Sequence, residues 1–258
     1  MTAPRILLLG GLDPSGGAGL TTDACVAHAL GVHPMPVATC LTVQNRHGFV
    51  SSHATSEELL CASIRAVFDD GPVHAVKLGL VAGGSQLATV LDACATAIPD
   101  VPVVVDPVLS ATSGGMATPD ELVSAYREQM PRIHVLTPNL PELERLAPDG
   151  VADLLELGCP HVFLTGGHAP VADDAIEDRL FTAEGVVVVR HPRIDIGPVH
   201  GTGCALATAL ASRLARGEAV ESACRSAVDD LIASLERTPN STDGLPVPLV
   251  VSASRNSE

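Results

Sequence analysis

The sequence predicts an α/β protein in which helices cover both faces of a central, mostly parallel sheet. Short apolar runs alternate with helical patterns along nearly the whole chain. Aromatic residues make up only 2% of the 258 residues while hydrophobic residues make up 46%, so Val, Leu, Ile and Ala must build the core. Parallel strands that are buried on both faces have this composition. One doubly wound domain is the economical interpretation.

The predicted elements alternate between strand and helix. The apolar run 6–9 ends in two glycines and precedes a helical pattern over 20–30, while the run 101–105 contains four valines and is the strongest strand signal. Residues 179–182 and 186–190 form a predicted hairpin. The other predicted strands are 35–43, 74–78, 135–136 and 161–164, and the other predicted helices are 57–68, 85–97, 121–129, 140–146, 151–157, 203–214 and 218–235. We assign residues 1–237 to one domain and residues 238–258, rich in Pro, Ser, Asn and Asp, to a poorly ordered tail.

Charge and cysteine content exclude several classes of protein. The net charge is −15, from 15 basic and 30 acidic residues, which argues against a nucleic-acid or anionic-membrane surface. Seven dispersed cysteines without a CxxC pair resemble neither a disulfide framework nor a zinc site. We see neither a signal peptide nor an apolar run of membrane-spanning length, and therefore expect a soluble cytoplasmic protein. Since Lys77 is the only lysine, a phosphate ligand would need backbone amides, a metal ion or arginine.

A glycine-rich loop at 10–19 follows the first strand and opens a helix, which is where open α/β sheets bind ligands. It is neither a Walker A loop nor a dinucleotide-binding GxGxxG motif of normal spacing. Its glycines either serve a turn with several positive φ angles or allow the backbone to approach a ligand closely. Five glycines in ten residues favour the ligand site.

Acidic and amide side chains follow two further strands. Asp106 comes directly after the valine strand, where it either ends the strand in an Asp-Pro turn or points into the ligand crevice. Asn139 and Glu142 follow the strand at 135–136 with the spacing of a helix capping box. The same oxygen atoms are suitable Mg²⁺ ligands. Both interpretations remain open at each position.

The turn at 200–204 reads His-Gly-Thr-Gly-Cys and precedes a helix of small residues. Free N–H groups at such a helix start, with the positive end of the helix dipole, form an anion hole for a transferring phosphoryl group. Cys204 lies in the first helical turn, where the pKa of its thiol is expected to fall below ~8.5. The thiolate would then accept a proton from a substrate hydroxyl. The alternative is a small buried hydrophobic residue.

Six segments, in this order, resemble the hydroxymethylpyrimidine/phosphomethylpyrimidine kinases of thiamine biosynthesis, in the ribokinase-like superfamily. They are 11–19, 44–45, 77–80, 106–108, 137–142 and 200–204. The resemblance covers about residues 5–236. It implies a ribokinase-like three-layer α/β/α sandwich with a central, mostly parallel sheet, usually a homodimer, that uses ATP and Mg²⁺. It also implies two successive phosphorylations, first of the hydroxymethyl group and then of the resulting monophosphate.

The resemblance also assigns roles to residues. Gln44 would hydrogen-bond the aminopyrimidine, Cys204 would be the base, and Mg²⁺ would bind at Asp106 and Glu142. The other pocket residues implied are Asp23, Gly11, Ala18, Leu80 and Val108. The residues implied on the ATP and phosphate side are Asp106, Asn139, Glu142, Thr165 and His200, and those of the anion hole are Gly201, Thr202 and Gly203.

Two departures from the family pattern remove positive charge. Thr165 stands where members often carry a lysine before Gly-Gly-His, and 112–115 reads Thr-Ser-Gly-Gly instead of Lys-Ser-Gly-Asp. Slow turnover or loss of the second phosphorylation would follow from weaker phosphate neutralisation. Two alternatives therefore stay open beside the pyrimidine kinase: a pyridoxal kinase-like activity and a pyrimidine-binding protein without turnover.

Overall fold

A computed structural model describes residues 3–109, 120–168 and 175–252 of the chain. The helices are α1 (Gly19–Ala29), α2 (Glu57–Asp69), α3 (Gly84–Ala97), α4 (Asp120–Glu128), α5 (Leu140–Leu146), α6 (Val151–Glu156), α7 (Thr202–Ala215) and α8 (Val220–Leu235). The strands are β1 (Arg5–Leu12), β2 (His33–Asn45), β3 (Gly48–Ala54), β4 (Ala75–Leu78), β5 (Val103–Val105), β6 (Val135–Leu136), β7 (Val162–Leu164), β8 (Ala175–Thr182), β9 (Gly185–Pro192), β10 (Val199–His200) and β11 (Val247–Pro248).

The main sheet has the strand order β3-β2-β1-β4-β5-β6-β7-β8-β9. The six central strands, β2, β1, β4, β5, β6 and β7, run parallel to one another. The edge strand β3 pairs antiparallel with β2, and at the other edge β8 and β9 pair antiparallel with their neighbours. Parallel strands need crossover connections, and the helices between them supply these. The predicted hairpin is confirmed as β8 and β9. The edge strand β3 was not predicted.

Alternate residues of the central strands feed two cores on opposite faces of the sheet. Leu7 and Leu9 of β1 pack into a core shared with α2, α3, α4, α5 and α6. Ile6 and Leu8 of the same strand pack into a core shared with α1, α7 and α8. Successive side chains of a strand point to opposite faces, so one apolar run serves both layers. The three-layer α/β/α sandwich with a mostly parallel central sheet confirms the predicted fold class.

The C-terminal segment 238–252 returns to the domain, although its composition predicted a poorly ordered tail. Its strand β11 pairs in parallel with β10, the strand that leads into the turn at 200–204. The amide of Ser252 donates a hydrogen bond of 2.9 Å to Ser234 Oγ of α8. Buried hydroxyls hold this segment, a type of contact that hydropathy patterns do not detect. Within the described ranges, no helix is long and apolar enough to cross a membrane.

Candidate active site

The glycine-rich loop is organised around the carboxylate of Asp13, which is only 3% exposed. The amide of Ser15 donates to Asp13 Oδ1 at 2.8 Å, the Ser15 hydroxyl donates to Oδ2 at 2.8 Å, and the amide of Ala18 donates to Oδ2 at 3.1 Å. A side chain that binds backbone N–H groups further along the chain makes an Asx-type turn. Asp13 therefore sets the shape of the loop.

Asp13 also connects the loop to two segments that are distant in sequence. Its Oδ2 lies 3.5 Å from His200 Nε2, and its carboxylate accepts a hydrogen bond from the side chain of Gln44. Although burial raises the pKa of Asp13, the hydrogen bonds from His200, Gln44 and Ser15 outweigh it and hold the pKa well below its ordinary value. The carboxylate stays ionised and joins β2, the glycine-rich loop and the turn at 200–204.

Close backbone approach explains two of the glycines. At Gly201 φ is +85°, and any Cβ there would lie 2.2 Å from the carbonyl oxygen of Gly17. At Gly19 φ is +58°, and a Cβ would lie 2.2 Å from the carbonyl oxygen of Gly11. Only glycine fits both the conformation and the space. The loop and the turn are thus packed backbone against backbone.

The turn at 200–204 ends in the N-terminus of α7. The first amide bonded inside this helix is that of Ala205, which donates to the carbonyl of Gly201 at 2.9 Å. The amides of Thr202, Gly203 and Cys204 precede it and have no intrahelical acceptor. Three successive N–H groups at a helix N-terminus have the arrangement of an anion-binding site.

Cys204 has a raised thiol pKa, so the expectation of a lowered one was wrong. Burial raises the pKa to about 12; the charge of Lys77 opposes this, and the carboxylates of Asp106 and Asp23 add to it. The thiol hydrogen-bonds the Asp106 carboxylate, and the amide of Gly19 donates to the sulfur. The helix position was correctly located, but burial, with two acidic residues from distant segments, keeps the thiol protonated.

Beneath the site, Asp23 and Lys77 form a buried ion pair. Lys77 Nζ lies 2.8 Å from Asp23 Oδ2, with the two side chains 1% and 0% exposed. The hydroxyl of Thr208 donates to the other oxygen, Oδ1, at 2.8 Å. Although burial lowers it, the charges of Asp23 and Asp106 raise the pKa of Lys77 above its ordinary value. Asp23 was predicted to line the pocket, but both its oxygens bind groups of the protein interior.

Asp106 and Glu142 bring two carboxylates together near Cys204. Burial raises the pKa of both, and the nearby charge of Asp106 contributes to raising that of Glu142 to about 8. The capping box is present: the amide of Asn139 donates to Glu142 Oε2 and the amide of Glu142 donates to Asn139 Oδ1, each at 3.0 Å. The capping-box interpretation of Asn139 and Glu142 is therefore confirmed. In this arrangement the Glu142 carboxylate still lies near that of Asp106.

This carboxylate pair fits a divalent cation of the Mg²⁺ type. In the part of the chain that the structure describes, no cluster of three or more His, Cys, Asp or Glu could hold a metal by itself. Mg²⁺ is commonly bound through one or two carboxylates together with substrate phosphates, so a larger cluster is not needed.

The hydroxyl of Tyr126 is buried and lacks a hydrogen-bond partner among the described residues. Burial and the charges of Asp106 and Glu142 raise its pKa.

The remaining predicted residues lie around these groups. A Cβ at Gly11 would lie 3.0 Å from Leu80 Cδ2, so these two residues are neighbours. The amide of Val108 donates to the carbonyl of Asp106 at 2.8 Å, in the turn that ends β5. Thr165 pairs with Asn139 across an isolated bridge, at the position of the missing lysine. The second departure, at 112–115, lies outside the described residues.

Sequence reasoning did not select Asp13, Lys77 or Tyr126 as site residues. Asp13 had a detectable signal, because Asp followed by Pro and Ser is typical of an Asx turn. Lys77 had one as well, since a lysine within the apolar strand Ala75–Leu78 requires a buried partner. Tyr126 carried no comparable signal, as it stands in an ordinary amphipathic helix pattern.

Comparison with known proteins gives consistent matches. The family model described as phosphomethylpyrimidine kinase matches residues 13–247. The hydroxymethylpyrimidine/phosphomethylpyrimidine kinase of Staphylococcus aureus (strain MRSA252) is 32% identical over 257 residues, which is 93% of this chain and 91% of that protein. The thiamine biosynthesis multifunctional protein ThiED of Corynebacterium efficiens is 35% identical over 233 residues. That match covers 85% of this chain but only 31% of the longer protein.

A solved structure supports the same fold. The pyridoxal kinase of Bacillus subtilis, in its ADP complex, superposes with a TM-score of 0.85 at 25% identity, covering 97% of this chain and 98% of that chain. The ribokinase-like architecture expected from the sequence is confirmed. The structural neighbour is named as a pyridoxal kinase, while the sequence relative is named as a pyrimidine kinase.

Proposed function

Because the chain belongs to the phosphomethylpyrimidine kinase family, we propose that it uses ATP to phosphorylate 4-amino-5-hydroxymethyl-2-methylpyrimidine and then the monophosphate, in thiamine biosynthesis. One observation carries the proposal: a series of contacts in which the glycine-rich loop meets the anion-binding turn, with Gly17 packed against Gly201 and Asp13 Oδ2 3.5 Å from His200 Nε2. On the proposed substrate side, the side chain of Gln44 lies near Asp13 and helps to lower its pKa. Cys204 at the end of that turn contacts Asp106.

Each part of this series has a role in phosphoryl transfer. Gln44 orients the aminopyrimidine, and the amides of residues 202–204 stabilise the charge that develops on the transferring phosphoryl group. Asp106 and Glu142 would hold Mg²⁺. When bound, this ion neutralises charge on the β- and γ-phosphate oxygens. Asn139, Thr165 and His200 would complete the nucleotide side of the site.

Cys204 is the proposed acceptor of the substrate's hydroxyl proton. Because its thiol pKa is raised to about 12, Cys204 holds its proton at neutral pH. We therefore propose a relay in which the hydroxyl proton moves to Sγ as the thiol proton moves to an oxygen of the transferring phosphoryl group. The alcohol oxygen bonds to the γ-phosphorus while the bond between that phosphorus and the ADP oxygen breaks. Asp106, whose carboxylate would hold Mg²⁺, would take no proton in this step.

Product analysis with the hydroxymethylpyrimidine, ATP and Mg²⁺ tests this function, because it separates no transfer, one transfer and two transfers. We expect the monophosphate first and the pyrophosphate more slowly, since Thr165 provides no positive charge where members often have lysine. If the protein binds the pyrimidine but ATP consumption does not rise above its level without pyrimidine, the chain is a binding protein and the kinase proposal is wrong.

A pyridoxal kinase-like activity is the second candidate. The close superposition on the pyridoxal kinase of Bacillus subtilis favours it. Both substrates present a hydroxymethyl group on an aromatic heterocycle, so the two proposals share the phosphate side of the site. Comparing kcat/KM for the two alcohols under the same ATP and Mg²⁺ concentrations decides between them, and a much higher value for pyridoxal would reverse the assignment.

We also propose a homodimer. Four exposed apolar side chains cluster where the ends of β1 and β2 meet the β2–β3 hairpin: Leu12, Leu41, Val43 and Val50, between 42% and 73% exposed. Leu12 and Leu41 are direct partners in the β1–β2 register. Exposed apolar patches mark interaction surfaces. Sedimentation equilibrium of the protein and of a Leu41→Lys variant tests this: a monomeric unsubstituted protein contradicts the proposal.

A further inference from the structure

We propose that Asp178 is a positioning residue for the nucleotide, because its carboxylate, paired with His191, fixes the turn Gly166–His168. This inference rests on the proposed function, since it concerns how ATP would be held on the phosphate side of the site. The turn follows Thr165 at the end of β7, and Thr165 pairs with Asn139. Asp178 is not itself expected to contact the nucleotide. It acts on the backbone of the turn.

The turn is anchored to β8 at its first residue. The amide of Gly166 donates a hydrogen bond of 2.7 Å to Asp178 Oδ1. The β7–β8 pairing ends at Leu164 and Arg179, so the Asp178 side chain provides the acceptor where backbone pairing stops. A Cβ at Gly166 would collide with the carbonyl oxygen of Glu177, so the two backbones approach closely. The turn is thus packed against β8 with its first amide on a buried carboxylate.

On its other side the same segment meets the residues proposed for the nucleotide. The amide of Thr165 donates at 2.9 Å to the carbonyl of Pro138, next to Asn139. Gly167, the second residue of the turn, is exposed. The segment is therefore anchored at Thr165 and Gly166 and reaches the surface at Gly167. A nucleotide bound beside Asn139 would meet a turn whose position depends on both anchors.

The second oxygen of Asp178 is paired with His191. Asp178 lies opposite Val189 in the β8–β9 register, so His191, two residues further along, is on the same face. Its Nε2 lies 3.2 Å from Asp178 Oδ2, and its Nδ1 lies 3.2 Å from the carbonyl oxygen of Pro192. A neutral imidazole has one N–H, whereas an ionised carboxylate and a carbonyl can only accept. The geometry therefore fits the imidazolium, which donates to both.

The surroundings of His191 favour its positive charge. Although burial lowers it, the hydrogen bond and the charge of Asp178 raise the pKa of His191 above its ordinary value, against the opposing charge of Arg193. Helix α8 packs against β9. Burial, with the charge of Asp178, raises the pKa of the Cys224 thiol of α8 to about 12, so this thiol is neutral. Two further charged side chains of α8 pair with each other at 3.0 Å: Glu221 and Arg225.

The size of the effect follows from the anchor that is lost. A hydrogen bond to a charged group changes an equilibrium by about 10- to 150-fold. In Asp178→Ala the amide of Gly166 has no such acceptor, and the turn is no longer held in one position. We therefore expect the affinity for a nucleotide to fall by at least about 5-fold. The affinity for the pyrimidine should change little, because its proposed site lies at the glycine-rich loop and β2.

Calorimetry with ADP and Mg²⁺, and separately with the hydroxymethylpyrimidine, measures the two affinities. In Asp178→Ala the ADP affinity should fall while the pyrimidine affinity is kept, and KM for ATP should rise more than kcat falls. Glu177→Ala is the matched control. The carboxylate of Glu177 pairs with Arg179 and Arg190 near the surface, and the substitution keeps its backbone carbonyl beside the turn. This variant should keep both affinities.

His191→Gln tests the pairing, because a glutamine amide can donate to Asp178 at any pH. In the unsubstituted protein, the pair is charged below the pKa of His191 and loses its charge as the pH rises through it. The ADP affinity should therefore fall between pH 6 and pH 9. His191→Gln should show a fall at least about 2-fold smaller over the same range. Ionisation of ADP itself contributes equally to both proteins.

Three results would overturn the inference. These are an unchanged ADP affinity in folded Asp178→Ala, an equal fall in Glu177→Ala, or the same pH dependence in His191→Gln as in the unsubstituted protein. Circular dichroism and thermal melts establish that each variant is folded.

If Asp178→Ala does not fold, Asp178→Asn replaces it. Its amide oxygen still accepts from Gly166, but a neutral amide does not hold an imidazolium. This variant should therefore lose the fall in ADP affinity with pH, and a fall as large as that of the unsubstituted protein contradicts the inference. Failure of the proposed function is distinct, since the unsubstituted protein would then bind neither ADP nor the pyrimidine, and both proposals would be wrong.

Discussion

Replacing Lys77 by methionine should destabilise the protein strongly. Lys77 Nζ lies 2.8 Å from Asp23 Oδ2, and neither side chain is more than 1% exposed. Removing one member of such a pair leaves an uncompensated buried charge, at a cost of about 3–5 kcal/mol. For a domain of this size, each kcal/mol lowers Tm by about 2–4 °C. The expected fall in Tm is therefore about 6–20 °C.

The pH dependence of this loss separates charge from packing. Burial raises the pKa of Asp23 while Lys77 opposes the rise, so the pKa will rise further in Lys77→Met. A carboxyl whose pKa is raised in the folded state loses stability as the pH climbs above its unfolded value of about 4. The deficit of Lys77→Met should thus be larger at pH 8 than at pH 5.5. A packing defect would cost the same at both.

Urea unfolding of the unsubstituted protein, Lys77→Met, Asp23→Asn and the double variant measures the effect. In the double variant both charges are gone, and most of the stability lost in Lys77→Met should return. The reasoning is refuted if Lys77→Met loses less than about 1 kcal/mol, well below the cost of an unpaired buried charge. It is also refuted if the double variant is no more stable than Lys77→Met.

Three further predictions concern the site. Since the thiol pKa of Cys204 is raised to about 12, iodoacetamide should label it more slowly than the exposed Cys25 at pH 7.5, and mass spectrometry that finds the reverse order would contradict the raised pKa. Cys204→Ala should lower kcat much more than it weakens pyrimidine binding, and unchanged kcat would exclude the proton relay. Glu142→Gln should keep the capping box with Asn139, because Gln also serves at that position. Burial and the charge of Asp106 raise the pKa of Glu142 from its ordinary value to about 8, so native Glu142 binds its proton more tightly than the unfolded chain does. It therefore makes stability fall as the pH rises from about 4.5 to 8, and Glu142→Gln should flatten that slope in urea unfolding; an unchanged slope would place the raised pKa elsewhere.

The spacing of apolar residues within each segment was sufficient to predict most strands and helices of the fold, because buried strands and helices differ in this spacing. The valine strand and the small-residue helix α7 were recognisable from their own residues. Strand β3 was missed because its segment Gly48–Ala54 has no clear apolar alternation and lies at the sheet edge. It is held by pairing with β2, a long-range contact that the segment's own sequence does not encode.

The site shows the same division between local and distant information. Helix position alone predicted a lowered pKa for Cys204, whereas the folded chain adds burial and the charges of Asp106 and Asp23. The role of Asp13 within its loop was readable from the Asp-Pro-Ser run, but its contacts with Gln44 and His200 were not. The motifs thus predict where the site lies. The protonation states of its residues depend on contacts between segments that are distant in sequence.

The candidate site offers few positively charged side chains to a phosphate ligand. The sole lysine, Lys77, is paired with Asp23 in the interior, and Thr165 provides no charge beside Asn139. His200 is engaged by Asp13, an interaction that also keeps the turn in place. Phosphate binding in the proposed kinase would therefore depend on the amides of residues 202–204 and on a divalent cation that Asp106 and Glu142 would hold. The backbone packing of Gly17 against Gly201 holds the turn that presents those amides, so substitution of either glycine would disturb the proposed phosphate site.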